Sequence, residues 1–392
     1  MRRIDVVTVA RSDWGIWRPV LQRLQREDVS VRLLVGGAHL LTGNGRGVAD
    51  IVASKLGDVV EVPMSAESDT PLDVAQTIGR GVAGFASCFA AQRPDIVLVL
   101  GDRFEMFAAA VAAVPFVLPI AHLHGGERTG GAIDDAFRHA ITKMSHLHFV
   151  STRAHGDRVR QLGEEAWRVT VSGAPALDAF LRSSPVDDDA LTACLGVDAR
   201  APFALCTFHP TTLQPGSAER QSQALLEALA RVEIPVVFTM PNADTGGLVI
   251  RAAIEHALRR QPTWRAHESL GHAMYGAALA RAAVVVGNSS SGIIEAPAFG
   301  VPIVNIGERQ DGRERAASVV DVTNDADAIV AAVRAALTPA ARAAARACRS
   351  PYGDGHAADR IVERLLAVAL DDTLTRKGFV DIAHTDEGTH AA

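Results

Sequence analysis

The stretch IVLVLGDRFEMFAAAVAAVPFVLPIAHLHGGE, residues 96–127, decides the fold class of this chain. It begins with an apolar run, Ile96–Leu100, that ends at a glycine, as a strand buried on both faces does. An apolar helical segment follows, and a second apolar run, Val117–Ala121, leads into two histidines and two glycines. A strand, a buried helix and another strand in this order predict a parallel β–α–β unit.

The same alternation extends in both directions from this unit. In the first half, further strands are predicted at Ile4–Val9, Val29–Val35, Val59–Val62, Leu147–Val150 and Arg168–Val171. After residue 200 the series starts again, with strands predicted at Phe203–Thr207, Val236–Thr239, Ala283–Val286 and Ile303–Ile306. We therefore predict an α/β chain of two Rossmann-like domains, whose parallel sheets face each other across a cleft.

The length of the chain agrees with this division. A chain of 392 residues suits two domains of about 150–200 residues each. The stretch Ser172–Arg200 contains small residues, two prolines and an acidic run, and within it we predict that residues 173–186 form the hinge. We expect residues 1–175 to form the N-terminal domain, 176–370 the C-terminal domain, and 371–392 a loosely held polar tail.

Composition excludes several classes of protein. The net charge of −6 gives no sign of a nucleic-acid partner. The apolar part of the longest uncharged stretch, Met106–Ala121, is shorter than the roughly 20 residues of a membrane helix, so we expect no membrane span. None of the four cysteines forms a C-x-x-C pair, and reduced thiols in the cytoplasm are expected.

Polar residues follow the predicted strands, at the edge where parallel sheets bind ligands. These turns contain glycine, histidine, carboxylates and arginine rather than plain turn residues, which favours a functional site over a structural edge. The turns supply Arg11, His39, Asp102, His124, Glu127, His209 and Asn242.

The best predicted phosphate-binding loop is Gly287–Gly292, with the sequence GNSSSG. It follows a buried strand and precedes a predicted helix, Ile293–Phe299, so that backbone amides and serine hydroxyls suit a diphosphate. A serine-rich helix cap with no ligand would have a similar sequence. Glu295 is placed to accept from ribose hydroxyls. The loop beyond it supplies three candidate phosphate ligands, Arg309, Arg313 and Arg315.

Other nucleotide and metal motifs are missing from the sequence. No G-x-G-x-x-G follows a strand, which disfavours a nicotinamide dehydrogenase, and there is no Walker G-x-x-x-x-G-K-[ST]. His122 and His124 could suggest a metal site, but no third ligand is evident nearby in the sequence. We expect no metal and no cofactor.

Seven stretches together resemble the UDP-N-acetylglucosamine 2-epimerase family, and especially its hydrolysing branch in bacterial sialic-acid-type sugar synthesis. They keep their order over about three-quarters of the chain, and KGFVDI at 377–382 resembles the tail of this branch. The stretches are ARSDWG at 10–15, GDRFEMFAAA at 101–110, HLHGGERTGGAIDDAFRHAITKMSHLHF at 122–149, FHPTT at 208–212, PNADTG at 241–246, GNSSSGIIEAPAFGVP at 287–302 and IGERQDGR at 306–313.

The resemblance implies the two-domain glycosyltransferase-B architecture and a role for each matching residue. Nucleotide-contacting positions are Arg11, Ser289, Ser290, Glu295 and Arg313, and we add His39, Asn242 and Ser291 as substrate-binding residues. Positions used in chemistry or substrate orientation are Asp102, Asp134 and His209. This chain has His124 where family members often carry a catalytic glutamate, so either His124 or nearby Glu127 fills that role.

The implied reaction is hydrolysis with inversion at C2. UDP-N-acetylglucosamine would lose UDP by elimination to a glycal, and hydration would give N-acetylmannosamine for nonulosonic acid synthesis, in the glycoside-hydrolase class of enzymes. An alternative substrate is UDP-N,N′-diacetylbacillosamine, in legionaminic acid synthesis. A non-hydrolysing 2-epimerase and a glycosyltransferase are weaker alternatives. A homo-oligomer, either a dimer or a tetramer, is compatible with the sequence.

Overall fold

The computed structural model describes residues 1–41, 47–64, 70–128, 133–182, 185–210, 216–241 and 247–381. The chain divides into two compact units. Unit 1 contains Met1–Pro175 together with residues 356–381, and unit 2 contains Ala176–Gly355. Each unit is built around one parallel β-sheet, so the predicted class, an α/β chain with two Rossmann-like domains, is confirmed.

Within the described part of unit 1, seven strands form one sheet: β1 (Arg2–Thr8), β2 (Val29–Val35), β3 (Asp58–Glu61), β4 (Ile96–Leu100), β5 (Ile120–Leu123), β6 (Leu147–Val150) and β7 (Val169–Val171). Their order is β3-β2-β1-β4-β5-β6-β7, and neighbouring strands run parallel. The strand order reverses between β1 and β4. In sheets of this kind, ligands bind at such a reversal, outside the carboxyl ends of the strands.

The described residues of unit 2 contribute six strands: β8 (Ala204–Thr207), β9 (Val236–Thr239), β10 (Arg265–His267), β11 (Val284–Gly287), β12 (Ile303–Ile306) and β13 (Val319–Val322). Their order is β10-β9-β8-β11-β12-β13, again parallel throughout. The reversal lies between β8 and β11, which places the loops after these two strands side by side.

Helices connect the strands in both units. Among the described residues, no single helix has the length and apolar composition to cross a bilayer. One consecutive pair of helices, Ala326–Ala336 and Pro339–Ala347, meets both limits together but bends by 74°. In chain order the helices are α1 (Arg11–Leu24), α2 (Gly47–Ser54), α3 (Pro71–Ala91), α4 (Phe104–Ala113), α5 (Asp134–Met144), α6 (Arg153–Gln161), α7 (Pro175–Leu181), α8 (Asp188–Leu195), α9 (Ala218–Val232), α10 (Gly247–Leu258), α11 (Gly271–Arg281), α12 (Ser290–Ile294), α13 (Ala326–Ala336), α14 (Pro339–Ala347), α15 (Ala357–Ala367) and α16 (Asp372–Thr375).

The central strands show why the sequence folds in this way. The side chains of β4 are almost completely buried along the whole strand, and Ile4, Val6 and Val7 of β1 are fully buried. Strands with apolar residues on both faces become stable only when helices cover both faces. The Trp17 indole N–H of α1 donates to the carbonyl of Val7 at 2.9 Å, which anchors the covering helix to the end of β1.

Every predicted strand is present, although some boundaries shift. The strand predicted at Val117–Ala121 begins only at Ile120, because Val114–Phe116 forms a 3-10 turn and Val117 adopts a φ of 51°. Two edge strands, β10 and β13, were not predicted. Both lack a buried apolar run, since an edge strand has one unpaired side and needs less apolar surface.

One domain boundary needed a correction, and the predicted hinge is partly helical. The chain passes into unit 2 within the predicted hinge, but α7 occupies much of that stretch. The C-terminal domain ends near residue 355, not 370, because α15 belongs to unit 1. Ile361, Val362 and Leu365 of α15 are buried in the same core cluster as the residues of β1 and α1. The apolar face of α15 thus completes the core of unit 1.

The tail was also predicted wrongly in its described part, residues 371–381, which is held firmly. Leu374 is buried, and the ammonium of Lys377 donates to the carbonyls of Lys143 at 2.6 Å and Ser145 at 2.8 Å. The same ammonium lies 2.9 Å from a carboxylate oxygen of Glu164. Leu374 and Lys377 therefore anchor the segment to unit 1, although most of its other residues are exposed.

Glu164 is the centre of this ion cluster. Its side chain is fully buried, and its oxygens lie 2.7 Å from the ammonium of Lys143 and 3.1 Å from Nε2 of His148. Burial alone would raise the pKa of Glu164, but hydrogen bonds from His148, Lys143 and Lys377 lower it to about 2. The carboxylate therefore stabilises the folded state at neutral pH.

We expect Glu164→Gln to lower the free energy of unfolding by about 3–5 kcal/mol at neutral pH, since it removes the buried anion that pairs with the ammonium groups of Lys143 and Lys377. Because the folded-state pKa lies below the ordinary value, the stabilisation is complete above about pH 5 and is lost as the pH falls toward 2. Denaturant unfolding from pH 7 to pH 3 measures the difference, with the exposed Asp157→Asn as control. Equal stability of the variant and the wild type at pH 7 would contradict the prediction.

Candidate functional site

The predicted residues of unit 1 lie around the carboxyl ends of its central strands, as expected for a parallel sheet. Some open helices, and others lie in the loops themselves. Arg11 is exposed at the start of α1, His39 lies in a 3-10 turn after β2, Asp102 follows β4, His124 and Glu127 follow β5, and Asp134 opens α5.

His124 and Glu127 form a hydrogen-bonded pair in the loop after β5. Nδ1 of His124 lies 2.7 Å from Oε1 of Glu127, and the hydroxyl of Ser151 donates to the same Oε1 at 2.9 Å. The backbone of His124 has a φ of 61°, in the left-handed region that non-glycine residues rarely adopt. Such a conformation costs about 1–3 kcal/mol and persists only where the surroundings hold it.

Arg138 on α5 connects the segments of this cluster. Its guanidinium, almost fully buried, donates to a carboxylate oxygen of Asp102 and to the carbonyl of His124, the latter at 2.9 Å. It also lies 4.0 Å from a carboxylate oxygen of Glu127 and 3.8 Å from one of Asp135. One cation thus joins the loop after β4, the loop after β5 and α5.

Two carboxyl groups of the cluster differ in proton affinity. Burial alone would raise the pKa of Glu127, but His124, Arg138 and His155 hold it far below the usual range, so Glu127 is an anion. Burial and the charge of Asp102 instead raise the pKa of Asp134. Neighbouring groups whose pKa values move apart can serve as a proton acceptor and a proton donor in one reaction.

His122 does not share a ligand position with His124. Its Nε2 donates to the carbonyl of Gly101 at 2.8 Å, and its Nδ1 accepts from the hydroxyl of Thr142 at 3.2 Å. Burial lowers the pKa of His122 to about 3, which keeps the ring neutral. Both ring nitrogens are therefore engaged in joining β5 to its neighbours.

The loops after β1 and β2 form a second group. Nε2 of His39 lies 3.0 Å from the hydroxyl of Thr8, and burial lowers the pKa of His39. The buried carboxylate of Asp13 accepts from the backbone N–H groups of Val9 and Ala10 at 3.1 and 2.9 Å. Asp13 thereby shapes the turn that presents Arg11.

In unit 2, His209 and Asn288 join the loops after β8 and β11. The side-chain amide of Asn288 accepts from the backbone N–H of His209 at 2.7 Å and donates to the backbone carbonyl of His209 at 2.8 Å. Both residues are buried. The pairing fixes the backbone position of His209, which is the residue predicted to act in chemistry.

The serine loop is closely tied to the rest of unit 2. The hydroxyl of Ser289 caps α12 by accepting from the N–H of Ser291 at 3.3 Å, and the phenol of Tyr275 donates to the hydroxyl of Ser291 at 2.8 Å. Burial raises the pKa of Tyr275 to about 12, so the phenol stays protonated. Ser290 opens the helix, and its side chain is half-buried.

Glu295 and Arg313 lie close enough for the charge of one to act on the other. Burial raises the pKa of Glu295, while the Ser291 side chain and Arg313 lower it in part. The helix predicted at Ile293–Phe299 is divided, because α12 ends at Ile294 and a 3-10 turn containing Pro297 follows. Proline cannot donate within a helix, which explains the break.

The remaining arginines predicted for this loop have structural contacts. Arg309 donates to the carbonyl of Asn288 at 3.0 Å. Arg315 contacts the carboxylate of Asp321 at 3.1 Å and donates to two backbone carbonyls of its own loop. Arg313 is therefore the best of the three for contact with phosphate. Asn242 lies outside the described residues.

The matches to known proteins agree with this arrangement. Residues 22–366 match the family model described as UDP-N-acetylglucosamine 2-epimerase. The chain belongs to this family. The family is named for reaction at C2 of a nucleotide sugar. This epimerase carries one cluster of polar side chains at the carboxyl edge of each sheet.

Two relatives of this epimerase carry the word hydrolyzing in their names. It is 36% identical to the UDP-N,N′-diacetylbacillosamine 2-epimerase (hydrolyzing) of Legionella pneumophila, covering 96% of this chain and 99% of the relative. It is 33% identical to the GDP/UDP-N,N′-diacetylbacillosamine 2-epimerase (hydrolyzing) of Campylobacter jejuni, covering 83% and 86%.

A solved structure supports the fold of this epimerase. The UDP-GlcNAc 2-epimerase of Neisseria meningitidis bound to UDP-GlcNAc matches with a TM-score of 0.73 at 20% identity, over 93% of this chain and 100% of that chain. At this level of identity the likeness concerns the fold alone.

Three residues of the two clusters, Ser151, Arg138 and Tyr275, were missed from the sequence, and Asn288 lies in the predicted phosphate-binding loop but its contact with His209 was not predicted. One signal was available for Arg138, which follows Asp134 by four residues and so shares its helix face. The others act through contacts between segments far apart in the chain, which spacing does not reveal.

We expect Asn288→Ala to destabilise this epimerase by about 2–5 kcal/mol, because two buried backbone groups of His209 lose their partner. The resonances of His209 should shift in histidine-labelled NMR spectra. The buried Asn305, which donates to Asp321 at 2.7 Å, provides the matched control Asn305→Ala. Unchanged His209 resonances in Asn288→Ala would show that Asn288 does not position this histidine.

Proposed function

We propose that this chain is a hydrolysing 2-epimerase, which converts a UDP-activated 2-acetamido sugar and water into UDP and the free 2-epimer. The observation that carries the proposal is the cluster of Asp102, His124, Glu127 and Arg138 at the ends of β4 and β5, in a chain of this family. Inversion at C2 requires groups that exchange protons, and this cluster supplies them.

Of the two substrates considered, we favour UDP-N,N′-diacetylbacillosamine. The two relatives that carry this substrate in their names are 36% and 33% identical to the chain. UDP-N-acetylglucosamine is the second candidate, supported by the 26% identical UDP-N-acetylglucosamine 2-epimerase of Neisseria meningitidis. The two sugars differ at C4 and C6, so the choice depends on contacts with those substituents.

We assign the nucleotide chiefly to unit 2. The loop amides and the hydroxyls of Ser289 and Ser290 suit the diphosphate, while Arg313 balances its charge. Glu295 suits the ribose hydroxyls, because a carboxylate there accepts hydrogen bonds. We retain the exposed Arg11 as a nucleotide contact on the family resemblance. Ser291, Asn242 and His39 are retained as substrate contacts because they lie in the turns that follow strands.

We assign the chemistry to carboxylates and histidines acting together. The C2 proton is poorly acidic, and one general base contributes only about 10²–10⁴-fold in rate. Asp102, Asp134 and His209 join His124 and Glu127 in this role. Cations and backbone amides that stabilise the negative charge on the departing UDP lower the barrier further, in addition to the effect of the general base. Water and protons balance the reaction with no change of oxidation state, so we propose no cofactor.

We further propose that the enzyme works in the cytoplasm on a soluble sugar nucleotide. All four cysteines are unpaired thiols, the state that a reducing compartment maintains. Nucleotide sugars made there would reach the enzyme without crossing a membrane.

Incubation with each UDP-sugar in deuterated water, without an acceptor, tests the reaction. We expect free 2-epimer deuterated at C2 together with UDP, and faster turnover of UDP-N,N′-diacetylbacillosamine than of UDP-N-acetylglucosamine. Epimerised UDP-sugar would instead indicate a non-hydrolysing enzyme. Turnover that requires an added acceptor would indicate a glycosyltransferase. Faster turnover of UDP-N-acetylglucosamine would reverse the substrate order.

Asp102→Asn and Asp134→Asn should each reduce UDP release at least 10²-fold, because an amide cannot exchange the proton that a carboxyl group exchanges. UDP binding, measured by calorimetry, should remain near that of the wild type, since the nucleotide contacts are assigned chiefly to unit 2. Asp157→Asn serves as an exposed control. Near-normal turnover in either variant would remove that residue from the catalytic assignment.

A further inference from the structure

We infer that His124 and Glu127 act as one proton-transfer unit, in which Nε2 of His124 accepts the C2 proton and Glu127 is a positioning residue. This inference rests on the proposed function and names the atom that carries the proton. It replaces the choice between His124 and Glu127 with distinct roles for both.

The contacts of the pair determine where the ring proton lies. An ionised carboxylate only accepts hydrogen bonds, so the 2.7 Å contact between Nδ1 and Oε1 places the proton on Nδ1 of His124. Ser151 donates its hydroxyl proton to Oε1 of Glu127 at 2.9 Å and lies 3.0 Å from Nδ1. Its lone pair can therefore also accept from Nδ1–H. A neutral ring held in this way has a lone pair on Nε2.

Nε2 of His124 is buried and makes no hydrogen bond to any residue in the described part of the chain. Buried polar atoms are normally hydrogen-bonded, and exceptions concentrate at sites that a ligand completes. The left-handed backbone of His124 supports this interpretation, because two hydrogen bonds hold the residue in that conformation. The guanidinium of Arg138 donates to the backbone carbonyl of His124, and the backbone N–H of His124 donates to the carbonyl of Phe149.

The surrounding charges keep Glu127 ionised. Polar and charged groups from every neighbouring segment surround the pair. They are Asp102 after β4, His122 in β5, Arg138 on α5, Ser151 after β6, and His155 and Arg158 on α6. Arg138 lies 4.0 Å and His155 3.9 Å from Glu127, which keeps this carboxylate ionised. A second proton on the ring therefore forms an imidazolium beside a fixed anion.

These roles give a balanced elimination. The C2–H bond breaks, the proton moves to Nε2, and the bonding pair forms the C1=C2 double bond while the C1–O pair departs with UDP. Water then adds hydroxide at C1 and a proton at C2 from the opposite face, so a group other than His124 must deliver that second proton. His124 returns its proton to solvent before the next turnover.

A double-mutant cycle tests whether the two residues act as one unit. His124→Asn suits the left-handed backbone, and Glu127→Gln keeps the shape of the side chain while removing its charge. We expect losses in kcat/KM of about 10²–10⁴-fold for His124→Asn and about 10–100-fold for Glu127→Gln. The double variant should be no worse than His124→Asn alone. Asp157→Asn, exposed on α6, is the control. Losses that multiply would overturn the inference.

The pH profile separates positioning from simple structural support. With Glu127→Gln, the acidic limb of kcat/KM should move to lower pH, because the anion that stabilises protonated His124 is lost. The exposed control Asp157→Asn should leave the limb in place. A limb that stays unchanged in Glu127→Gln would assign Glu127 a structural role only.

NMR of the labelled imidazole tests the tautomer without any substrate. The wild type should carry its ring proton on Nδ1 of His124, and Glu127→Ala should increase the population protonated on Nε2. A wild-type ring protonated on Nε2 overturns the inference even if the enzyme is active. Failure of the wild type to release UDP from any sugar nucleotide overturns the proposed function and leaves the tautomer result to be judged separately.

Discussion

Arg138 lies almost fully inside unit 1, where a guanidinium without compensating charge would be strongly destabilising. Its partners come from three segments, because Asp102 follows β4, Glu127 and the His124 carbonyl follow β5, and Asp135 shares its helix. Satisfying one buried charge therefore positions three segments at once. Glu127, held as an anion in part by this cation, in turn orients the ring of His124. This compensation therefore orders the loops after β4 and β5 relative to α5.

Much of the fold follows from apolar patterning alone. Strands such as Ile96–Leu100 are apolar at every position, and only a parallel sheet covered on both faces buries such a strand completely. The edge strands β10 and β13 escaped prediction because their side chains are partly exposed. The return of α15 to unit 1 also escaped, since an amphipathic helix shows that it needs a partner but not which core supplies one.

The site could be predicted by residue type but not by contact. Strand-end turns identified Asp102, His124, Glu127 and His209, because parallel strands bring such turns to one edge. Which side chains meet depends on packing between distant segments, as with Asn288 and His209, 79 positions apart. The question of His124 or Glu127 arose for the same reason, since the sequence shows both residues three apart and does not show the hydrogen bond that joins them.

Unit 1 is discontinuous in sequence, because residues 356–381 follow unit 2 in the chain and yet complete the core beside β1. The guanidinium of Arg2 donates to the carbonyls of Leu365 and Val368, so the first strand contacts residues made more than 360 positions later. During synthesis, unit 2 can therefore fold while the core of unit 1 still lacks α15. The N-terminal half therefore exposes part of its apolar surface until α15 has been synthesised, and exposed apolar surface makes a nascent chain prone to aggregation.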